Sequence, residues 1–119
     1  MSKSLLELTP VEAVACCSPV TREPLAPDAA ERIAPLLKAI ADPVRLRLLS
    51  LVASHADGEA CVCDLNEAFA LTQPTISHHL KQLHESGLLD RDKRGVWVYY
   101  RLNPAALRDL ATLLGGVTA

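Results

Sequence analysis

The chain has 119 residues, enough for one compact domain with tails and too few for a second folded unit beside it. Half of it is apolar, yet its aromatic residues are only Phe69, Trp97, Tyr99 and Tyr100, so the core must be aliphatic, which favours helices over a β-sandwich. The net charge of −2 excludes a uniformly basic nucleic-acid binder, but residues 1–72 carry six Lys/Arg against ten Asp/Glu and residues 73–119 carry six against four, with Arg91, Lys93, Arg94 and Arg101 concentrating the positive charge.

No stretch approaches the roughly 18 to 20 consecutive apolar residues of a membrane span. Met1 to Glu12 lack the apolar core of a signal peptide, so the expected location is the cytoplasm. In that reducing compartment four cysteines read as ligands or reactive thiols rather than as a disulfide frame. A domain this small buries a modest share of its surface, and a homodimer is expected to cover what is left of its aliphatic stripes.

Residues 1–27 read as an extended arm: Pro10, Pro19, Pro24 and Pro27 crowd it, and it carries Cys16 and Cys17. Residues 28–119 read as the folded domain. Asp28 caps a helix with the stripe Ile33, Leu36, Leu37 and Ile40. Asp42-Pro43 opens a second helix, about Pro43 to Ser54, with Val44, Leu48, Leu51 and Val52 on one face. A turn at Ala56 to Glu59 precedes a short helical face, Val62, Leu65 and Phe69. Thr72 then caps a helix over residues 73–86 with Ile76, Leu80 and Leu83 inward, stopped by Ser86-Gly87. These two helices form a helix-turn-helix. Beyond Gly87 the period changes to two, Val96, Val98 and Tyr100 alternating with Trp97, Tyr99 and Arg101, and Asp92 to Gly95 is expected to be the turn of a basic β-hairpin. Asn103-Pro104 caps a last helix with Leu107, Leu110, Leu113 and Leu114 in a row. The fold class is therefore mainly α with a small hairpin: a winged helix-turn-helix.

The runs Ala41-Asp42-Pro43-Val44-Arg45-Leu46-Arg47-Leu48-Leu49, Cys61-Val62-Cys63-Asp64-Leu65, Thr72-Gln73-Pro74-Thr75-Ile76-Ser77-His78-His79-Leu80 and Gly87-Leu88-Leu89 resemble the ArsR/SmtB family of metal-sensing repressors over about residues 30–103. The resemblance implies a dimeric repressor that leaves operator DNA when a thiophilic ion binds. The arsenic-sensing members usually carry a third cysteine three residues after the second; here that position is Asn66. Zinc-sensing relatives place Asp, His and Glu ligands on the last helix, which here contains Asp109 and no His.

Thiolates select soft ions, and As(III) or Sb(III) is satisfied by three sulfurs. The candidate ligands are Cys16, Cys17, Cys61 and Cys63. The latter two stand at or just before a helix start, where backbone N–H groups favour the thiolate. An extended backbone points both to one side, whereas a helical one makes an i, i+2 pair diverge and leaves one a spectator. The working site joins the arm cysteines to one of the Cys61/Cys63 pair, either within one subunit or, as the resemblance to related sensors implies, across two. Four sulfurs would instead hold Cd(II), Pb(II) or Zn(II), and a mixed or intersubunit disulfide formed by Cys16 and Cys17 would make a redox switch with no ion. Either Cys61 or Cys63 also fits as a small buried hydrophobe.

Gln73, Thr75, Ser77, His78, His79 and Lys81 stand where short polar side chains reach phosphates and base edges, and by resemblance they face DNA. Arg91, Lys93 and Arg94 on the hairpin would add phosphate contacts. A solvated helix face and a solvated loop are the plain alternatives, the latter favoured by Asp90 and Asp92 among the basic residues. The last helix serves either a dimer interface or the core of its own chain. An enzyme has one foothold, Cys16 and Arg22 five residues apart as in cysteine phosphatases, but Pro19, Pro24 and Pro27 deny it the helix that cradles phosphate.

Overall fold

The computed structural model describes residues 19–115. Among the described residues five α-helices and three strands follow in order: α1 Pro27–Ile40, α2 Pro43–Ser54, β1 Glu59–Cys61, α3 Val62–Asn66, α4 Gln73–Ser86, β2 Leu89–Arg94, β3 Trp97–Leu102 and α5 Pro104–Leu114. The strands form one antiparallel sheet in the order β1-β3-β2. Helix-turn-helix followed by hairpin makes this a winged helix.

Local chemistry sets most boundaries. The Asp42 carboxylate accepts from the N–H groups of Val44 and Arg45, Thr72 Oγ1 from Thr75, and Asn103 Oδ1 from Ala105 and Ala106, each with proline in the first turn behind it. Gly87 closes α4 at φ +96°, a left-handed cap that residues with a Cβ resist. Helix α1 differs from expectation: it starts at Pro27, with Ala26 at the cap and no side chain capping it, and Asp28 sits inside the first turn. There its charge still opposes the positive end of the helix dipole.

The core collects the predicted stripes. Leu48, Val52, Ile76, Leu80, Leu83, Leu88 and Leu89 are shut off from solvent together with Ile33, and burying each such side chain contributes about 1.5–3 kcal/mol. The leucines of α5 divide: Leu110 and Leu113 are buried, Leu107 and Leu114 exposed. Helix α5 serves its own core with one edge and leaves the other edge uncovered.

Two strand features correct the sequence reading. The hairpin turn is not Asp92 to Gly95: β2 runs on through Arg94, which pairs with Trp97, leaving a two-residue loop of Gly95 and Val96. Gly95 has φ +65°, which a tight two-residue hairpin loop demands of its first residue in the II′ form. The third strand, β1, was not anticipated. Three residues give too little alternation to read, and β1 exists because Glu59, Ala60 and Cys61 pair with Arg101, Tyr100 and Tyr99 of β3.

Candidate metal centre and nucleic-acid interface

The thiol site is made by a reversal of the chain. His55 ends α2 and donates its backbone N–H to Val52. Asp57 at φ +62° and Gly58 at φ +71° then turn the chain back into β1. Cys61 is at once the last residue of β1 and the extended N-cap of α3, with φ −84° and ψ 160°; Cys63 stands one step inside the helix. This half-extended step brings the two sulfurs together, and Cys61 and Cys63 are joined as a disulfide with Cα atoms 5.3 Å apart. Of the two geometries the sequence leaves open, the pair follows the one with both sulfurs to one side, because Cys61 is extended and only Cys63 is helical. Nor are these thiols kept apart as the cysteine count suggested. Cys61 is buried and Cys63 exposed, so the pair is reached from one side.

Asp64 completes the local cluster. The Sγ atoms of Cys61 and Cys63 and a carboxylate oxygen of Asp64 all lie within 4.8 Å of one another. Asp64 Oδ2 accepts from the Cys61 backbone N–H at 3.2 Å and stands 3.5 Å from His55 Nε2. The sequence reading passed over both His55 and Asp64. An acid directly after Cys-Val-Cys was a visible signal for Asp64, whereas His55 reaches the site only through the turn at Asp57 and Gly58. Cys16 and Cys17 lie outside the described residues.

The DNA candidates spread over two flanks of α4. Gln73, Ser77 and Lys81, four residues apart, share one flank and line a cleft of about 820 Å³ whose other walls include Cys63, Asn66, Arg91 and Trp97. Thr75 and His78 are exposed, with Thr75 Oγ1 2.9 Å from Thr72 Oγ1. His79 turns toward α2 and is half-buried, its Nδ1 3.4 Å from Arg45 Nη1; Arg45 Nε donates to the Ala39 carbonyl at 2.6 Å. Arg45 thus ties the end of α1 to the middle of α4. The backbone N–H of Arg45 that it accepts holds the Asp42 carboxyl below its usual range, and the charges of Arg45 and His79 add to the effect against the cost of partial burial.

On the wing, Arg91 and Lys93 are exposed. The Arg94 side chain, 44% exposed, is engaged at several atoms: Nη2 and Nη1 donate to the two oxygens of Glu59 at 2.8 and 3.1 Å, Nε donates to Asp92 at 2.8 Å, and the guanidinium lies 4.4 Å from the centre of the Tyr99 ring. This fork keeps the Glu59 carboxyl below the usual range and raises Arg94 further above its own. Arg94, which the sequence reading places on DNA, here pairs with Asp92 and with Glu59 of β1, two residues from Cys61.

The comparisons agree with this architecture. The family model of bacterial regulatory proteins of the arsR family matches residues 42–91. The chain is 45% identical over 82 residues to the arsenic resistance transcriptional regulator ArsR1 of Pseudomonas putida, a match covering 69% of this chain and 62% of that protein. It is 51% identical over 69 residues to the arsenical resistance operon repressor of Escherichia coli, covering 58% and 57% respectively. The chain therefore spans less than two thirds of the length of these two relatives. With the arsenical resistance operon repressor of Staphylococcus aureus the match is 40% identical over 80 residues and covers 67% of this chain and 74% of that protein. Among solved structures, HlyU from Vibrio cholerae superposes with a TM-score of 0.62 at 28% identity, covering 71% of this chain and 91% of that one. A possible transcriptional regulator for arsenical resistance superposes with a TM-score of 0.57 at 39% identity, covering 63% and 75%. These relatives are transcriptional regulators rather than enzymes, which removes the phosphatase-like reading of Cys16 and Arg22. By winged-helix fold, motif order and sequence match alike, the chain belongs to the arsR family of bacterial regulatory proteins.

Proposed function

We propose that this protein is a cytoplasmic, homodimeric repressor that binds operator DNA and releases it when As(III) or Sb(III) is held by cysteine thiolates. The observation that carries the reading is the position of Cys63. It belongs both to the thiol cluster and to the cleft lined by Gln73, Ser77, Lys81 and Arg91, so an ion seated on the sulfurs acts directly on the surface that faces DNA. Names of relatives such as the P. putida and E. coli regulators support arsenic as the inducer class.

In this reading residues 1–27 are the arm and residues 28–119 the DNA-binding and dimerisation domain. The described residues offer two sulfurs, and a trivalent ion takes three. Cys16 or Cys17 of the arm supplies the third to the reduced Cys61/Cys63 pair. Helix α4 enters the major groove with Gln73, Thr75, Ser77, His78 and Lys81, while Arg91 and Lys93 hold phosphates. His79 and Arg94 act from behind, through Arg45 and Glu59. Release from nearly full occupancy to nearly none requires the ion to favour the DNA-free form by about 5.5 kcal/mol.

The test is a parallel titration of fully reduced protein on a palindromic operator with As(III), Sb(III), Cd(II), Pb(II) and Zn(II), following DNA release by fluorescence anisotropy. Release by As(III) and Sb(III) at the lowest concentrations is expected, and it should be lost in Cys16→Ser/Cys17→Ser protein. Release by Cd(II) or Pb(II) alone would replace the trivalent ion by a four-sulfur site. A second reading is favoured by the Cys61–Cys63 disulfide itself: a thiol redox switch, marked by release on peroxide, reversed by dithiothreitol, with no ion added.

A further inference from the structure

The tip of the wing is apolar although the strand leading to it is charged. β2 and β3 close on a two-residue loop; Val96 in that loop is 85% exposed and Trp97 beside it 55% exposed. Among the described residues no atom lies within 4 Å of where a Cβ on Gly95 would sit, so the loop stands clear of the body. Arg94, the cation adjoining the loop, is turned back onto Glu59 and Asp92. Neither Val96 nor Trp97 belongs to the core.

We propose that Val96 and Trp97 form an apolar wedge that enters the minor groove of the DNA flanking each α4 contact. Operators are then selected by the deformability of flanking base steps as well as by base edges. The inference rests on the reading of the protein as an operator-binding regulator, and deepens it by naming residues that select sequence without hydrogen-bonding a base.

Placement and charge both favour DNA as the occupant. Val96 and Trp97 share the walls of the cleft with Gln73, Ser77 and Lys81 of α4, so tip and helix flank one concave space. With α4 seated in the major groove, the neighbouring groove along the duplex is the minor one, about 6 Å wide. A two-residue loop is thin enough to enter it, whereas a helix about 10–12 Å across is not. Arg91 and Lys93 on β2 are exposed and make no ion pair among the described residues, which sets two phosphate-seeking cations behind the tip. Of the two acids on the same strand, Asp92 is bonded to Arg94 and Asp90 stands opposite Arg101 in the register. The fork of Arg94 on Glu59 also fixes the base of the loop to β1, which gives the wedge a firm seat.

An apolar wedge reads shape. Pushing a side chain between base pairs unstacks them, which costs least at pyrimidine–purine steps such as TpA and most in stiff A-tracts. The wedge removes its own apolar surface from water in return.

Trp97 is the only tryptophan of the chain, so its emission reports on the tip without a label. The experiment titrates reduced full-length protein with a palindromic operator selected from random duplexes, its half-sites kept and its flanks rebuilt with either TpA steps or A-tracts. Anisotropy of labelled DNA gives affinity, and Trp97 emission with acrylamide quenching gives burial of the tip. On the TpA operator Trp97 is expected to change emission and lose acrylamide access. The parent should bind TpA-flanked DNA about 5- to 100-fold more tightly than A-tract-flanked DNA. Val96→Ser and Trp97→Thr should each shrink that ratio towards one with the salt slope unchanged, since no phosphate contact is removed. Lys93→Ala should do the reverse, lowering the slope and keeping the ratio. Val96 is so exposed that Val96→Ser keeps the fold, and it carries the test if Trp97→Thr does not fold. Operator binding that leaves Trp97 emission unmoved, or an equal ratio in parent and Val96→Ser, would overturn the wedge while the DNA reading stands. A parent that binds no duplex at all sinks that reading and the wedge together. A Trp97 shift that follows protein concentration without DNA would give the tip to a second copy of the chain and overturn the proposal as well.

Discussion

Asn66 stands at the position where, by resemblance, arsenic-sensing relatives usually carry a third cysteine. It lies three residues after Cys63 on α3, on the same helical face, and both line the cleft beside α4. Its Oδ1 is buried without a hydrogen-bond partner among the described residues. A buried acceptor left unpaired is a cost, so replacing it removes a penalty rather than an interaction. Asn66→Cys in the Cys16→Ser/Cys17→Ser background is therefore expected to restore arsenite-driven release of DNA without lowering the melting temperature. A variant that folds yet stays unresponsive would show that α3 does not present three sulfurs to one ion. At this scale the sequence was readable wherever the cause is local: Asp42, Thr72 and Asn103 cap helices because a short polar side chain and a following proline suffice. The Cys61/Cys63 pair was not readable in the same way. Its geometry depends on the strand-to-helix boundary falling between the two residues, and that boundary is fixed by β3, about forty residues downstream along the chain.

Among the elements, β1 is the piece that pairing creates and sequence conceals. It carries Glu59 at one end and Cys61 at the other, so the wing's Arg94 and the thiol pair hold the same three-residue strand. The fork of Arg94 on Glu59 and Asp92 leaves that guanidinium committed to the sheet. The salt dependence of operator binding should separate the basic residues of β2. Arg91→Ala and Lys93→Ala are each expected to reduce the slope of log affinity against log salt by about 0.9, whereas Arg94→Ala should leave it close to that of the parent; an equal loss in all three would put Arg94 on DNA. The same clamp has a pH signature. Glu59 titrates below the ordinary carboxylate range when folded, so the stability it contributes is present above the unfolded value and is lost as pH falls through the folded one. Carboxyl chemical shifts followed through an acid titration should place Glu59 low in the parent and back in the ordinary range in Arg94→Ala. Coincident titrations would mean that the clamp does not persist in solution.

For the molecule as a whole, one protomer leaves an apolar margin that its own core does not use. Val20 at 44% and Leu25 at 37% exposure precede α1, and Leu107 at 38% and Leu114 at 57% lie on α5; the Val20 N–H donates to the Leu113 carbonyl at 3.0 Å, which lays the two segments together. The sequence showed a leucine stripe on the last helix but not its division, because helical period alone does not say which neighbour each leucine meets. Leu110 and Leu113 answer to the core, which frees Leu107 and Leu114 for a second copy. Leu107→Glu/Leu114→Glu is accordingly expected to yield a folded monomer by sedimentation, its helical circular dichroism unchanged since the buried leucines remain. Losing the tether between two half-site contacts should cost about 10²- to 10⁴-fold in operator affinity, far more than removing one wing charge. A variant that remains dimeric would move the interface off α5, whereas a monomer binding the operator as tightly as the parent would deny that pairing of two α4 helices supplies the affinity.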